Sequence, residues 1–212
     1  MTTSSGDYRP GGWLRAFAIP GAVIASNAAA LLGALSIIGL APGLSGSARV
    51  LGSLAEHGDE AFRTVLRHLR ATWLRDLPVT AGIWLVLLAV AGNILVLPVM
   101  DPSLRTFAVG AMLPLGWVLV AFASAYVTLA ADPEAARADL VLGAGRLLVT
   151  RPLRALLAPA AVIALSPLWL LAPLTIACGL AVPPYLLTAL WGGGPSPDQP
   201  ADPATRTGDD PL

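Results

Sequence analysis

Apolar positions in this chain gather into long runs instead of alternating. No charged residue lies between Arg15 and Arg49, between Asp76 and Asp101, between Arg105 and Asp132, or from Ala155 to Trp191. A hydrocarbon core of about 30 Å takes about 20 helical residues to cross. The runs therefore predict transmembrane helices at 16–40, 78–100, 106–130, 152–171 and 173–191. Met100-Asp101-Pro102-Ser103-Leu104-Arg105 is a tight polar turn joining the second and third of these. In the first run, Ala41-Pro42-Gly43 is expected to end the helix and Leu44–Ala48 to form an emerging turn. The last run, as one helix, would extend about 55 Å, too far for one crossing. It is split near Ala172-Pro173, with Trp169 at the turn and Trp191 at the far end as interfacial aromatics. Five spans result, with four as the alternative. A cleaved signal peptide fits poorly, because the apolar run simply continues where a polar mature chain should start.

Between the runs the pattern changes period. In 59–76, Phe62, Val65, Leu66, Leu69 and Trp73 share one helical face and Arg63, Arg67 and Arg70 another. Asp59 and Glu60 sit in the first turn, where carboxylates suit the helix dipole. The second such stretch opens at Asp132-Pro133-Glu134, read as a capping Asp with Pro at the first helical position. There Ala136, Leu140 and Leu147 line one side, and Arg146, Arg151 and Arg154 lead into the next span. Both stretches are expected to be amphipathic helices at the membrane surface. Their arginines either contact anionic lipid or a partner, or simply enforce topology. Nine of the thirteen basic residues, all of them Arg, fall in these two loops. The positive-inside rule then makes the loops cytoplasmic and, by parity, places the N-terminus outside.

Composition agrees with the runs. Of 212 residues, 56% are hydrophobic and 12% charged, where a soluble domain carries about 25% charge. That excludes an ordinary soluble domain and a disordered chain. The formal net charge of zero leaves no broad basic field for nucleic acid. Cys178 stands alone in an apolar run, so there is no disulfide framework and no thiolate metal site.

Chemistry is scarce. No Asp, Glu, Lys, Arg or His falls inside the charge-free runs, where catalysis or coupled transport would place one. Asn27 and Asn93 are the most polar groups at membrane depth, expected to make interhelical or backbone hydrogen bonds, with a sugar hydroxyl as the functional alternative. A serine protease needs a His beside its Ser, and His57 and His68 both lie in the first polar loop. Gly43-Leu44-Ser45-Gly46 is not a nucleophile elbow, and no zinc, P-loop or dinucleotide motif occurs. His57 with Glu56, Asp59 and Glu60 reads as a solvated charged turn. Catalytic residues, cofactors and metals are all expected to be absent.

Asn27, Ile37-Ile38-Gly39-Leu40-Ala41-Pro42-Gly43, the Gly-Asp-Glu turn at 58–60, Phe62-Arg63 and Trp73-Leu74-Arg75 follow one another in an order that resembles the YesL-like bacterial membrane proteins. The resemblance covers about 12–190 and rests on 27–75. It departs where the family has a Thr-x-Gly-Pro-Ala-like run. It implies an inner-membrane protein associated with polysaccharide breakdown and sugar uptake, and it brings no catalytic residues.

The expectation is an all-α, polytopic transmembrane helical bundle of about five spans with two cytoplasmic amphipathic helices. A polar segment (1–15) precedes the transmembrane domain (16–191), and a disordered tail (192–212) follows it. The expected function is accessory or regulatory, in carbohydrate uptake, with the lipid bilayer and ABC-type sugar transporter subunits as partners. The alternative is a small-solute permease acting as a homo-oligomer.

Overall fold

Among the residues described below, prolines stand mostly at helix starts and breaks, and the intervening Ala- and Leu-rich stretches favour helix. A computed structural model describes residues 12–54 and 58–192, and no strand occurs among them. The expected polar N-terminal segment and disordered tail fall largely outside the described residues, as do Glu56 and His57. The main helices are α1 (Gly12–Leu35), α2 (Leu40–Gly52), α3 (Ala61–Val96), α4 (Pro102–Leu129), α5 (Arg137–Thr150), α6 (Pro152–Ala164) and α7 (Val182–Trp191). Between α6 and α7 the chain passes through single turns at Pro167–Leu170 and Ala172–Leu174 and a π turn at Thr175–Gly179.

Four boundaries differ from expectation. The first apolar helix stops at Leu35, and Ala41-Pro42-Gly43 lies inside α2 instead of ending α1. Pro42 is tolerated because first-turn N–H groups have no intrahelical partner. Gly43 is needed there, since a Cβ would sit 3.3 Å from the Ala30 backbone. The amphipathic stretch 59–76 and the span 78–100 are not separate elements: α3 runs through Pro78 as 36 residues. At 132–136, Asp132 caps no helix; its Oδ1 accepts the Glu134 N–H in a local turn, and α5 starts at Arg137. The last run does divide at Leu171, just before Ala172-Pro173, but it also breaks at 165–166 and 180–181.

Three stretches among the described residues are long and apolar enough to cross a membrane: Ala61–Val99, Pro102–Leu129 and Pro152–Leu170. The pair Ala172–Gly179 and Val182–Trp191, bent by 56°, makes a fourth if it counts as one span, while the apolar Ile19–Leu35 is shorter. The all-helical architecture is as expected, and the number of crossing elements it offers is three or four.

Two buried clusters hold the helices together. Ala22 and Ala29 of α1 meet Val50 of α2 and Ala61 and Val65 of α3. Ala125 and Tyr126 of α4, Leu140 and Ala144 of α5, Ala158 of α6, and Leu187 and Trp191 of α7 form the second. Small residues on α1 let α2 and α3 approach closely: Ala29 is buried, and a Cβ on Gly33 would fall 2.8 Å from the Gly39 carbonyl oxygen. Trp191 is buried instead of standing at an interface, with its indole donating to Ser124 Oγ at 3.1 Å.

Candidate functional site

A proline inside a helix removes the N–H that would bond the carbonyl four residues earlier. Pro78, inside α3, therefore leaves the Leu74 carbonyl without its helical donor, and before the helix starts at Pro173, Pro183 and Pro184 the carbonyls of Trp169, Gly179 and Leu180 lie at breaks between helices. Each receives a side-chain donor. Arg137 Nη2 donates to Leu74 O at 2.8 Å and its Nε to Arg75 O at 2.9 Å. Trp169 Nε1 donates to Gly179 O at 2.7 Å; the single Thr175 hydroxyl proton is shared between Leu168 O at 2.9 Å and Trp169 O at 3.1 Å, and that of Ser47 between Leu44 O at 2.9 Å and Leu180 O at 3.2 Å.

Asn27 completes the repair of the break before α7. Its Nδ2 donates to Thr175 O at 2.9 Å and Ile176 O at 2.6 Å. Its Oδ1 accepts from Leu180 N at 2.6 Å and Ala181 N at 3.1 Å. Two carbonyls on one side and two N–H groups on the other fix the amide orientation and use its whole hydrogen-bonding capacity. Its side chain is fully buried. Asn27 thus does what was expected of it, bonding to backbone across helices. Asn93 has a smaller role, donating to Ala89 O of its own helix at 2.7 Å.

The second knot surrounds Asp76, which is completely buried. Its Oδ1 accepts from Arg75 Nε and from the Tyr126 hydroxyl, each at 2.8 Å, and its Oδ2 accepts from Arg75 Nη2 at 3.2 Å. Arg75 also donates to Ala130 O at 3.0 Å, Asp132 O at 2.7 Å and Ala135 O at 3.2 Å. All five guanidinium donors are thereby spent. The side chain pairs the buried carboxylate and closes the C-terminal end of α4, where helix carbonyls favour a cation. Asp76 and Tyr126 were not singled out in the sequence. Asp76 read as the edge of a loop, and only its position immediately before a charge-free run hinted otherwise.

Of the arginines expected to face lipid or a partner, Arg63, Arg67, Arg70 and Arg146 are exposed. Arg67 lies 3.8 Å from Glu60, an exposed pair of little energetic weight. Arg151 and Arg154 are engaged elsewhere: both donate to the Trp191 carbonyl, the latter at 2.7 Å, at the C-terminus of α7. There Gly192 adopts the left-handed conformation that ends a helix.

One exclusion drawn from the sequence fails on geometry. His68, placed in a loop away from any Ser, sits on α3 with Nε2 3.1 Å from Ser45 Oγ of α2. Both residues are buried, and a Cβ on Gly46 would lie 3.2 Å from His68 Cδ2. The pair has nucleophile–base spacing and, buried between the helices, ties α2 to α3. Among the described residues no group of three His, Cys, Asp or Glu could hold a metal. Open grooves also lie among the described residues. One of about 670 Å³ is lined by Arg75, Arg137, Ala138, Val141 and Leu142. Another, of about 640 Å³, lies between α1 and the start of α3, with Asp59, Glu60 and Arg63 at its mouth.

Beyond this network the α3–α4 hairpin is bare. Leu95, Val99 and Phe107 are 78%, 82% and 75% exposed. Cβ atoms added at Gly82, Gly92, Gly110 or Gly116 would meet nothing within 4 Å. No family model, characterised protein or solved structure matches this chain.

Proposed function

We propose that the chain is a non-enzymatic integral protein of the bacterial cytoplasmic membrane, serving as an accessory or regulatory component of carbohydrate uptake. The observation that carries this reading is the contrast between its two kinds of surface. An apolar hairpin is left uncovered over about 80–118, while the buried polar groups of the helix breaks are bonded to backbone. Uncovered apolar helix of this extent suits lipid or another membrane helix. Arg63, Arg67 and Arg70 continue the same helix with exposed guanidiniums, which favours a cytoplasmic position for that end. The link to sugar uptake, through ABC-type transporter subunits, rests on the resemblance of residues 27–75 to the YesL-like proteins.

The permease alternative has one feature in its favour, a broken helix facing a polar side chain, the construction transporters use for their sites. Here the exposed carbonyls and N–H groups of the break are already bonded to Asn27, Trp169 and Ser47. That favours a structural break over a binding site. Affinity purification in mild detergent tests the proposal: co-purification of transporter subunits is the expected result. Repeated isolation of the chain alone, together with sugar flux into liposomes reconstituted with it, would replace the accessory role by the permease.

A further inference from the structure

The first apolar run contains two helices, and their pairing decides where the chain goes. Gly33 packs on Gly39, Gly43 on Ala30, and Ala22 shares a buried cluster with Val50. These pairs run in opposite directions along the two helices, so α2 folds back antiparallel on α1. Arg49 therefore lies at the same end as Ala22. The segment before α1 and the segment after α2 leave the hairpin from one end.

The hairpin also stops short. α1 runs parallel to α3: Ala22 lies with Ala61 and Val65, and the Ile37 carbonyl accepts from Trp84 Nε1 at 2.8 Å. At the tip, the Ala41 N–H, an unpaired donor of the first turn of α2, reaches Thr80 Oγ1 at 3.4 Å. The tip is thus level with Thr80 and Trp84, while α3 continues to Val96. Those twelve further residues carry α3 about 18 Å past it. α2, with 13 residues, extends about 20 Å, against about 30 Å of hydrocarbon. Leu35, Ile37 and Ile38 at the tip are exposed and apolar, unlike a turn built for water.

From this geometry we infer that α1–α2 is a re-entrant hairpin that enters the membrane beside α3 and returns to the side it came from. The crossing elements are then α3, α4, the Pro152–Leu170 stretch and the bent pair ending at Trp191. Four crossings bring the chain back to its starting side. This agrees with Arg151 and Arg154 at the start of α6 holding the last carbonyl of α7. Five-span parity puts the N-terminus opposite the arginine-bearing loops; the hairpin puts it on their side. Arg15 then joins Arg49, Arg63, Arg67, Arg70, Arg75, Arg137, Arg146, Arg151 and Arg154, and Arg105 is left at the far end of the α3–α4 hairpin. The positive-inside bias becomes stronger under this topology than under five spans. The cytoplasmic assignment of that side rests on the proposed membrane location; the hairpin itself does not.

Single cysteines in a Cys178→Ser background test it, labelled with a membrane-impermeant maleimide in intact and in permeabilised cells. Ser5→Cys and Gly52→Cys should label only after permeabilisation, Ser103→Cys already in intact cells, and Ile38→Cys not in intact cells. Ser5→Cys labelling together with Ser103→Cys while Gly52→Cys stays protected would overturn the hairpin and restore a complete first span. Labelling of Ile38→Cys in intact cells would overturn it too, by showing two full crossings. If Ser5→Cys and Gly52→Cys label in intact cells and Ser103→Cys does not, the hairpin stands and the cytoplasmic placement of the arginines falls.

Discussion

The junction around Asn27 and Asp76 and the α3–α4 hairpin beyond Trp84 are made from similar residues but held by different means. At the junction, helices break or end, and each freed carbonyl or N–H must find a partner, because a buried backbone group left unpaired is costly. Asn27, Ser47, Thr175, Trp169, Arg75 and Arg137 supply those partners. In the hairpin, α3 and α4 satisfy most of their own backbone; polar side chains are confined to Asn93 and to the turn, where Arg105 donates to the Pro98 and Met100 carbonyls, and the rest of the surface is apolar. Polar residues in this protein thus follow the breaks in its backbone. That pattern needs no substrate to explain it.

The junction is the region where single changes should matter most, and Asp76 is the place to begin. Asp76→Ala leaves the buried guanidinium of Arg75 without its carboxylate and removes the acceptor of the Tyr126 hydroxyl. Removing one partner of a buried ion pair costs about 3–5 kcal/mol. Unfolding in detergent micelles should show a loss of that order; an unchanged midpoint would mean the knot does not hold α3 to α4.

Next comes Asn27→Ala, which removes partners from two carbonyls and two N–H groups, of which Ala181 N–H keeps a second acceptor in Cys178 O; each group left buried and unpaired is worth about 1–3 kcal/mol. Water entering the cavity would moderate the sum, so a loss of about 3 kcal/mol is expected in the same assay. Hydrogen exchange should rise at Leu180 and Ala181 in particular. Asn93→Ala, on the bare hairpin, should cost less than about 1 kcal/mol. Equal losses for the two asparagines would erase the distinction between the regions.

Arg137→Gln is a finer test. It removes the guanidinium donors to Leu74 O and Arg75 O at the Pro78 site, for an expected cost of about 1–2 kcal/mol. The double variant Arg137→Gln with Pro78→Ala should lose less than the single one, because an alanine in place of the proline restores the helical N–H to Leu74 O. A double variant no more stable than Arg137→Gln alone would show that the proline is not what Arg137 serves. Smallest of all is the triple change of Arg63, Arg67 and Arg70 to Gln, expected within about 0.5 kcal/mol of the parent. It should lower retention on anionic vesicles without altering retention on neutral ones.

Much of the fold was legible. The charge-free runs located α3, α4 and the last helices, and the Asp101-Pro102 turn is where the hairpin reverses. What escaped was how the runs divide. Ala41-Pro42-Gly43 carries the composition of a terminator, yet the same residues suit the first turn of a helix that packs closely on α1. Only the packing of Gly43 on Ala30 distinguishes the two. Pro78 marked a boundary by the usual rule, and the Arg137 side chain from 59 residues away in the chain lets the helix pass through it.

The candidate site was half legible for the same reason. A proline inside a helix announces which carbonyl lacks a donor, so Leu74 could have been named; the carbonyls of Trp169, Gly179 and Leu180 are freed by helix breaks, of which the sequence placed only the one near Ala172-Pro173. Their donors come from distant segments or other side-chain positions and could not be named. Asn27 stood out as a lone amide in an apolar helix, whereas Asp76 was hidden by its position at the edge of a charged stretch.

The central claim is that the bare α3–α4 hairpin lies in hydrocarbon, and Leu88→Arg tests it most directly. On a surface facing water such a change is worth within about 0.5 kcal/mol. At the centre of a membrane span an arginine costs about 2.5–3.5 kcal/mol on insertion scales. With the hairpin in hydrocarbon, Leu88→Arg should sharply reduce the carbonate-resistant membrane fraction and the labelling of Ser103→Cys in intact cells. Undiminished integration and labelling would contradict it.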